Sequence, residues 1–277
     1  MKLIVVIHIF YIEQWNELKD YLKFISYDYD LYITLVEESS LLRSDILSFK
    51  KNAKIFLVDN KGFDIWPFFF ILNKINIDDY DYILKLHTKT SRRKYCIVFG
   101  ENLSSDLWKK ELLSFVKKFD KAISILNKDK SIGCISGLKV ITTKKEDTDI
   151  YIKHLAEKES IEIGLNETND YCFVAGTMFL VRANIFRKLQ YRYNADNFEE
   201  SKIGTGVTFA HVLERILGKI VYAEGYTISD VDLLYPYYKK WRYLKRIFRL
   251  FYHKRVLKER ILKVKLLGFT IYKRNIE

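Results

Sequence analysis

The chain has 277 residues, of which 49% are hydrophobic, and it contains only two prolines and eleven glycines. This composition excludes a collagen-like, disordered or linker-dominated protein, and it allows one large domain or two small ones with a sizeable core. Three widely separated cysteines form no CxxC pair and no metal-ligand spacing, which is typical of a reducing compartment.

The net charge of +12 is concentrated at the C-terminal end. Fourteen Lys or Arg and two Glu lie between Lys239 and Glu277, which leaves 33 of the 47 basic and 33 of the 35 acidic residues in the first 238 positions. A neutral body with a basic tail indicates attachment to an anionic surface. The body also carries no recognisable RNA- or DNA-reading motif, so we expect no nucleic-acid partner.

The apolar N-terminus, residues 1–10, lacks a small-residue cleavage site and is interrupted by His8. A buried first strand therefore explains it better than a signal peptide. No stretch of the sequence approaches the ~18–20 apolar residues that span a bilayer. We expect a cytoplasmic protein that is peripheral to the inner face of the cell membrane.

Short apolar runs alternate with helix-like segments over the first ninety residues. The predicted strands are 3–9, 31–36, 53–58 and 80–86, and the predicted helices are 13–25, 41–50 and 65–73. This βαβαβαβ order predicts an α/β protein with a Rossmann-type, mostly parallel sheet flanked by helices. Such sheets bind ligands at the carboxyl ends of their strands.

The remaining predicted elements are a helix at 106–127, strands at 131–137 and 173–182, a helix at 208–217 and a strand at 219–223. The polar segment 142–170 is interpreted as an acceptor-side loop or a set of small helices. Gly218 is expected to be the C-cap of the preceding helix. These elements divide the chain into an α/β domain, residues 1–233, and a basic amphipathic tail, residues 234–277.

The first group of candidate site residues follows the third predicted strand. Gly62 allows a tight turn there, and Asp64 precedes a helix whose first turn contains Pro67. Asp64 is therefore a candidate N-cap of that helix. Alternatively, its carboxylate accepts hydrogen bonds from the hydroxyl or imide N–H groups of a nucleotide.

A second group, which contains Lys85, His87, Lys89 and Arg92, lies at the end of the fourth predicted strand. Lys supplies a point charge and Arg a bidentate fork to phosphate oxygens, so this segment is a candidate diphosphate site. A solvated basic loop is the alternative.

A third group contains Gly176 and the helical residues His211, Glu214 and Arg215. The three helical residues stand at i, i+3 and i+4 and share one helix face. They form either a local surface network or, because they combine a possible base, a carboxylate and a guanidinium, part of an active site.

Segments 60–68, 80–89, 175–179 and 210–215 resemble the rhamnan synthesis protein F family of bacterial polysaccharide glycosyltransferases. The resemblance implies a GT-A-like fold and a hexosyltransferase that moves a sugar, rhamnose by the family name, from a nucleotide-diphosphate donor. The implied acceptor is a lipid-linked or oligosaccharide form of a growing cell-surface polysaccharide or lipopolysaccharide. The residues assigned to nucleotide-sugar binding are Asn60, Gly62, Asp64, Lys85, His87, Lys89, Arg92, Gly176 and Arg215.

The chain departs from the GT-A pattern at 85–89, where the sequence KLHTK stands in place of a DxD metal motif. A departing nucleoside diphosphate develops negative charge that must be neutralised. We hypothesise that Lys85, Lys89 and Arg92 partly replace the metal, and we assign no metal ligand and no firm cofactor. The alternative is a divalent Mg or Mn ion held by His87, His211 or Asp64.

A second departure is Thr205, which stands where the family often has an acidic residue before Gly206. An acid there would suit a general base that deprotonates the acceptor hydroxyl. Its absence leaves open a catalytically silent subunit that keeps the fold and positions a partner enzyme at the membrane. In an active enzyme, the candidate catalytic residues are Glu199, Glu200, His211 and Glu214.

The basic tail has the pattern of an interfacial helix. Wound as a helix, residues 237–251 place aromatic and aliphatic residues on one face and most cations opposite. Each cation near an anionic membrane contributes roughly 1 kcal/mol to binding. The alternative is a helix that packs on the α/β domain. Residues 266–272 are expected to form a short strand or a second anchor.

Overall fold

The computed structural model describes residues 1–37, 39–89, 95–98, 101–144, 147, 149–165, 170–202, 206–256, 261–266 and 269–275. The chain forms two compact units, Met1–Asp232 and Leu233–Glu277. The interpretation of the first as a catalytic domain and of the second as a membrane-associating tail stays a prediction.

The described part of the first unit is a mixed α/β structure. Its strands are β1 (Leu3–Ile9), β2 (Asp30–Leu35), β3 (Lys54–Leu57), β4 (Tyr82–His87), β5 (Tyr95–Val98), β6 (Glu101–Ser104), β7 (Ile132–Ser136), β8 (Ile141–Thr143), β9 (Cys172–Val174), β10 (Phe179–Arg182) and β11 (Thr227–Asp230). Its helices are α1 (Trp15–Leu22), α2 (Ser40–Phe49), α3 (Ile65–Leu72), α4 (Ser105–Leu112), α5 (Phe119–Lys128), α6 (Ile150–Glu162) and α7 (Phe209–Ala223).

The central sheet has the strand order β11-β7-β10-β4-β1-β2-β3. It is mainly parallel: β4, β1, β2 and β3 run in one direction, β7 and β11 are parallel to each other, and β10 is antiparallel to both of its neighbours. From β1 the chain proceeds outward to β2 and β3, and it then returns to place β4 on the other side of β1. The carboxyl ends of β1 and β4 are therefore a topological switch point, where open α/β sheets bind ligands.

The middle of this sheet is covered on both faces. All seven residues of β1 are buried, which a continuous apolar run in a parallel sheet requires. Helix α3 is apolar on every side, seven of its eight residues are buried, and it packs against β1 and α7. This packing fixes the start of α3, which follows Asp64, near the carboxyl edge of the sheet.

The predicted mostly parallel α/β class is confirmed. The prediction for β1 matches the observed strand, and those for β2, β3 and β4 differ from the observed bounds by one or two residues. The GT-A-like assignment is more specific than the α/β class that the strand order supports, and it stays a proposal.

Two predictions for the middle of the chain were wrong. The predicted single strand at 173–182 is two strands, β9 and β10, because a turn at Gly176 with φ +80° separates them. The predicted helix at 106–127 is broken into α4 and α5 with a short 3₁₀ turn, Val116–Lys118, between them. The segment 142–170, for which a loop or small helices were expected, contains one thirteen-residue helix, α6, and also most of β8.

The predicted end of α7 was also wrong. Gly218 is not a C-cap, because the helix continues to Ala223 and contains the predicted strand 219–223. A Cβ atom on Gly218 would lie 2.4 Å from the Cys172 carbonyl oxygen and 2.4 Å from Phe173 Cα. The glycine therefore permits close packing of α7 on β9, and it does not end the helix.

The second unit contains helix α8 (Tyr235–Phe251) and three strands, β12 (Tyr252–Val256), β13 (Ile261–Leu266) and β14 (Phe269–Asn275). The strands form an antiparallel sheet in the order β12-β13-β14. Residues 266–272 were expected to form a short strand or a second anchor, and most of them lie in strand β14.

In the part of the chain that the structure describes, no helix combines the length and apolar character needed to span a membrane.

Candidate functional site

The switch point between β1 and β4 carries a row of polar residues. His8 and His87 are partners in the parallel register of these two strands. The hydroxyl of Thr88, the next residue, accepts hydrogen bonds from the amides of Phe10 and Tyr11, both at 2.9 Å. The carboxyl ends of the two strands are thus tied together and present imidazole and hydroxyl groups at one edge of the sheet.

A strained turn brings Asp64 to this edge. Gly62 and Phe63 both adopt left-handed conformations, with φ +58° and +53°. The Gly62 amide donates to the Glu199 carbonyl oxygen at 3.0 Å, and the Phe63 amide donates to Ser201 Oγ at 2.7 Å. Asp64 occupies the N-cap position of α3, but its side chain makes no capping hydrogen bond. The carboxylate is therefore available for other partners.

The main partners of the Asp64 carboxylate are Lys85 and Thr177. Lys85 Nζ donates to Asp64 Oδ2 at 2.5 Å, and the Thr177 hydroxyl donates a short hydrogen bond to the same oxygen. Lys85 Nζ also donates to the carbonyl oxygen and to Oγ1 of Thr177, at 3.0 and 2.9 Å. An ammonium group has three donors, so these three acceptors satisfy Lys85 completely.

This geometry does not fit the expectation that Lys85 faces a diphosphate. Lys85 is only 1% exposed, and all of its donors are used within the protein. Its charge instead compensates the Asp64 carboxylate, because a buried charge requires a paired partner.

The electrostatic balance keeps Asp64 ionised. Burial alone raises the pKa of the Asp64 carboxyl, but the interaction with His87, the charge and hydrogen bond of Lys85 and the charge of Lys89 outweigh burial and hold that pKa well below its usual range. Burial lowers the pKa of Lys85, and the Asp64 carboxylate opposes that shift. The result is a fixed negative charge at the edge of the sheet.

The two histidines beside this pair are neutral. Burial lowers the pKa of His8 to about 4 and that of His87 well below its usual value. His8 Nδ1 lies 3.1 Å from Thr34 Oγ1. His87 Nδ1 lies 3.4 Å from Asp64 Oδ2, and neither ring nitrogen of His87 makes a hydrogen bond within the described residues.

A second set of contacts holds the turn that carries Thr177. The Gly176 amide donates to Glu214 Oε1 at 2.7 Å, and Arg215 Nη1 donates to Glu214 Oε2 at 2.6 Å. Arg215 also donates from Nε and Nη2 to the two carboxylate oxygens of Asp147, at 2.9 and 3.1 Å. Glu214 and Arg215 thus form the local pair that was one of the two expectations, but the pair is largely buried and connects α7 to two other segments. Direct contact of either residue with a ligand stays a prediction.

The other candidate bases occupy different positions. Both carboxylate oxygens of Glu199 accept from the Phe209 amide at the start of α7, at 3.3 and 3.1 Å. Glu200 is exposed and pairs with Lys202 at 2.8 Å. His211 Nδ1 accepts from the Thr208 amide at 3.2 Å in a capping box, and its ring lies 5.8 Å from the Phe63 ring.

Three nucleotide-binding candidates remain to be located. Asn60 is exposed next to Gly62, and its carbonyl oxygen accepts from the Ser201 amide at 2.9 Å. Lys89 is half-buried, and its charge acts on Asp64. Arg92 lies outside the described residues, as does Thr205.

A cavity of about 310 Å³ opens at the ends of β2 and β3. Its lining residues are Val36, Leu57, Val58, Asp59, Trp66 and Phe70. Trp66 belongs to the first turn of α3 and follows Asp64 by two residues. The cavity is within the size range of small-ligand pockets.

The residues at the end of β4 do not fit a divalent metal. Such ions are held mainly by carboxylate oxygens, and the Asp64 carboxylate at this edge is already paired with the buried cation Lys85, near the half-buried cation Lys89. Among the residues that the structure describes, no group of three His, Cys, Asp or Glu side chains is arranged to hold a metal ion.

Sequence reasoning missed Thr177, Ser201 and Asp147, all of which hold the site together. Threonine and serine are common in loops, and nothing in their local pattern distinguishes them. The nearest signal is Gly176, because a glycine before a threonine at the end of a strand indicates a turn. Asp147 carries no signal, since its partner Arg215 lies 68 positions away.

Comparison with known proteins gives two results. A family model described as rhamnan synthesis protein F matches residues 1–226. Two curated proteins of Xanthomonas campestris pv. campestris, from strains B100 and ATCC 33913, are each 24% identical to the chain over 181 residues, and both are named "Uncharacterized protein WxcX". The match covers 63% of this chain and 24% of each relative, so the chain spans about a quarter of the length of these relatives.

Proposed function

The chain belongs to the rhamnan synthesis protein F family, and we propose that it is a glycosyltransferase of cell-surface polysaccharide or lipopolysaccharide assembly. The donor is a nucleotide-diphosphate sugar, and rhamnose is the sugar that the family description suggests. The acceptor hydroxyl oxygen bonds to the anomeric carbon, and the bond from that carbon to the diphosphate oxygen breaks. The leaving nucleoside diphosphate keeps the electron pair, and the hydroxyl proton passes to a base.

The observation that carries this proposal is the ionised Asp64 carboxylate at the switch point, two residues before Trp66, which lines a cavity of about 310 Å³. Trp66 and Phe70 give the cavity aromatic walls suited to a flat nucleotide base. A carboxylate beside it accepts hydrogen bonds from ribose or sugar hydroxyls. Together these features suit a ligand that joins a flat apolar ring to a hydroxyl-rich sugar.

Lys89 is the described cation best suited to the diphosphate. Unlike Lys85, it is half-buried, and its interaction with Asp64 acts through charge and not through a hydrogen bond among the described contacts. A cation there offsets the charge that develops on the leaving diphosphate. Arg92 follows in sequence and is a further candidate for the same role.

Two of the four candidate bases are poorly suited to taking a proton. Glu214 forms an ion pair with the Arg215 guanidinium, and Lys202 lowers the pKa of the exposed Glu200. We therefore favour Glu199 or His211, which border the turn that carries Asp64.

The first experiment measures binding of nucleoside diphosphates and nucleotide sugars to the full chain by calorimetry, with and without EDTA. We expect one nucleotide series to bind, and to bind equally well in EDTA. The Lys89→Gln variant should bind the diphosphate about tenfold more weakly, because it loses one charge-assisted contact, and should bind the unphosphorylated nucleoside as the wild type does.

Lys51→Gln, at an exposed lysine after α2, is the matched control and should change neither affinity. Equal affinity of wild type and Lys89→Gln for the diphosphate would refute the role of Lys89. Failure of every nucleotide to bind would favour a catalytically silent subunit that positions a partner enzyme.

We also propose that the second unit attaches the protein to an anionic membrane, where a lipid-linked acceptor would be found. Support comes from composition, since fourteen basic and two acidic residues lie between Lys239 and Glu277. Tyr237, Trp241 and Leu244 follow each other along one side of α8 and are exposed. Aromatic and aliphatic residues on a basic helix are typical of interfacial binding.

A further inference from the structure

Two left-handed turns converge on the Asp64 carboxylate. One is Gly62–Phe63, directly before it in the chain, with φ +58° and +53°. The other is Gly176–Thr177, with φ +80° and +50°. A left-handed conformation is costly for an aromatic and for a β-branched residue, so it persists only where surrounding contacts impose it.

Each turn is held by contacts from a separate segment. Ser201 Oγ accepts the Phe63 amide at 2.7 Å. Glu214 Oε1 accepts the Gly176 amide at 2.7 Å. A Cβ atom on Gly176 would come within 2.8 Å of Leu112, so the second turn also requires glycine for space.

The second turn delivers the Thr177 hydroxyl to one oxygen of Asp64. That hydroxyl donates to Oδ2 and accepts from Lys85 Nζ at 2.9 Å, and Lys85 donates to Oδ2 at 2.5 Å. The Asp64 side chain nevertheless keeps 17% of its surface exposed. No donor among the described residues reaches Oδ1, which leaves this oxygen as an acceptor for a group from outside the protein.

We propose that Thr177 is a positioning residue, which fixes Oδ2 of Asp64 so that Oδ1 accepts a hydrogen bond from a ribose or sugar hydroxyl of the nucleotide sugar. The inference rests on the proposed function and names the part of the donor that this carboxylate recognises. Glu214 contributes indirectly, because it accepts the Gly176 amide and so holds the turn that positions Thr177.

Several charged and titratable groups face Asp64. They are His8 on β1, Lys85 and His87 on β4, and Lys89 after β4, while Glu214 on α7 faces Lys85. The pKa of Asp64 lies well below its usual range, so the carboxylate is ionised near neutral pH with or without the Thr177 hydroxyl. The role of the hydroxyl is therefore measured by removing it and by restoring it at one constant pH.

The test compares Thr177→Ala with Thr177→Ser in the full chain, since the alanine variant lacks the hydroxyl and the serine variant keeps it. Calorimetry near neutral pH measures binding of dTDP-rhamnose, UDP-glucose and the two free diphosphates. We expect Thr177→Ala to bind the nucleotide sugar about tenfold more weakly than the wild type. Thr177→Ser should restore the affinity to within about twofold of the wild type.

Thr177→Gly replaces the alanine variant if that variant does not fold, because glycine accepts the left-handed conformation and also lacks the hydroxyl. If the hydroxyl-free variant binds with wild-type affinity, or if Thr177→Ser weakens binding as much as the hydroxyl-free variant does, this inference fails and the proposed function stands. If the wild type binds none of the four probes, the proposed donor class fails and the inference fails with it.

Discussion

Asp64 is the carboxylate of the site, and the residues around it are lysine, threonine and neutral histidine. Lys85 is fully buried and compensates its charge, so neither residue can be removed alone without leaving a buried charge unpaired. His8 and His87 lie beside the pair, and burial lowers the pKa of both. The site therefore combines one fixed ion pair with two imidazoles that resist protonation.

This arrangement predicts that the free energy of unfolding depends on pH through His8. The pKa of His8 is lowered from 6.5 to about 4 in the folded protein, so below pH 6.5 the unfolded chain binds the proton first. The stability that the neutral His8 contributes is complete above pH 6.5 and is lost as the pH falls toward 4. Urea unfolding should show a loss on the order of 2–3 kcal/mol across this window.

The His8→Asn variant should show a smaller loss over the same window, because asparagine does not titrate. His154, which is exposed on α6, offers the control variant His154→Asn. An equal pH dependence in the wild type and His8→Asn would contradict the assignment of His8 as a buried neutral imidazole.

At the scale of elements, α7 connects the parts of the site. Its start is bordered by Glu199, its first turn carries His211, and its middle carries Glu214 and Arg215. The helix continues through Gly218 because β9 packs against it there with no space for a side chain. A residue that disfavours helices by propensity is therefore required by packing.

Substitution of Gly218 by alanine separates these two effects. Helix propensity predicts a stabilisation of about 1 kcal/mol, whereas a Cβ atom 2.4 Å from the Cys172 carbonyl oxygen predicts a clash. We expect the clash to dominate and the free energy of unfolding to fall by about 2–3 kcal/mol in a denaturant titration. Gly164→Ala is the control: it meets no atom within 4 Å, and only its φ of +66° should reduce stability, by about 1 kcal/mol. A Gly218→Ala protein as stable as the wild type would refute the packing explanation.

At the scale of the whole molecule, the boundary between the neutral and the basic part of the sequence lies close to the boundary between the two structural units. The first 238 residues carry as many acidic as basic residues, and all of the excess charge lies beyond them. The first unit contains the switch point and its cavity, and the second combines a helix with a small antiparallel sheet. Ligand chemistry and surface attachment can therefore be tested separately.

We predict that the full chain binds vesicles containing phosphatidylserine and that this binding weakens with added salt. A Lys240→Gln, Lys245→Gln, Arg249→Gln variant should bind about a hundredfold more weakly, because each cation contributes roughly 1 kcal/mol near an anionic surface. A sedimentation assay measures both proteins. The control replaces Lys51, Lys128 and Lys130, which are exposed in the first unit. Equal losses in the two triple variants, or preferential binding to an oligonucleotide, would contradict the membrane proposal.

The sequence alone determined the class of the fold and pointed to several residues that the structure brings together at the switch point. Apolar runs of strand length specify β1 to β4 because burial of such runs dominates the free energy of folding. Gly62, Asp64, Lys85 and Gly176 were singled out because they lie in or next to the ends of strands, where such sheets bind ligands.

Only the tertiary structure decided what these residues do. Whether Lys85 faces a ligand or a carboxylate depends on Asp64 and Thr177, which lie 21 and 92 positions away in the chain. The continuation of α7 through Gly218 likewise depends on contact with β9. Local propensity carries no information about such distant partners, and the free energy of burying a charge or a side chain is set by whatever packs against it.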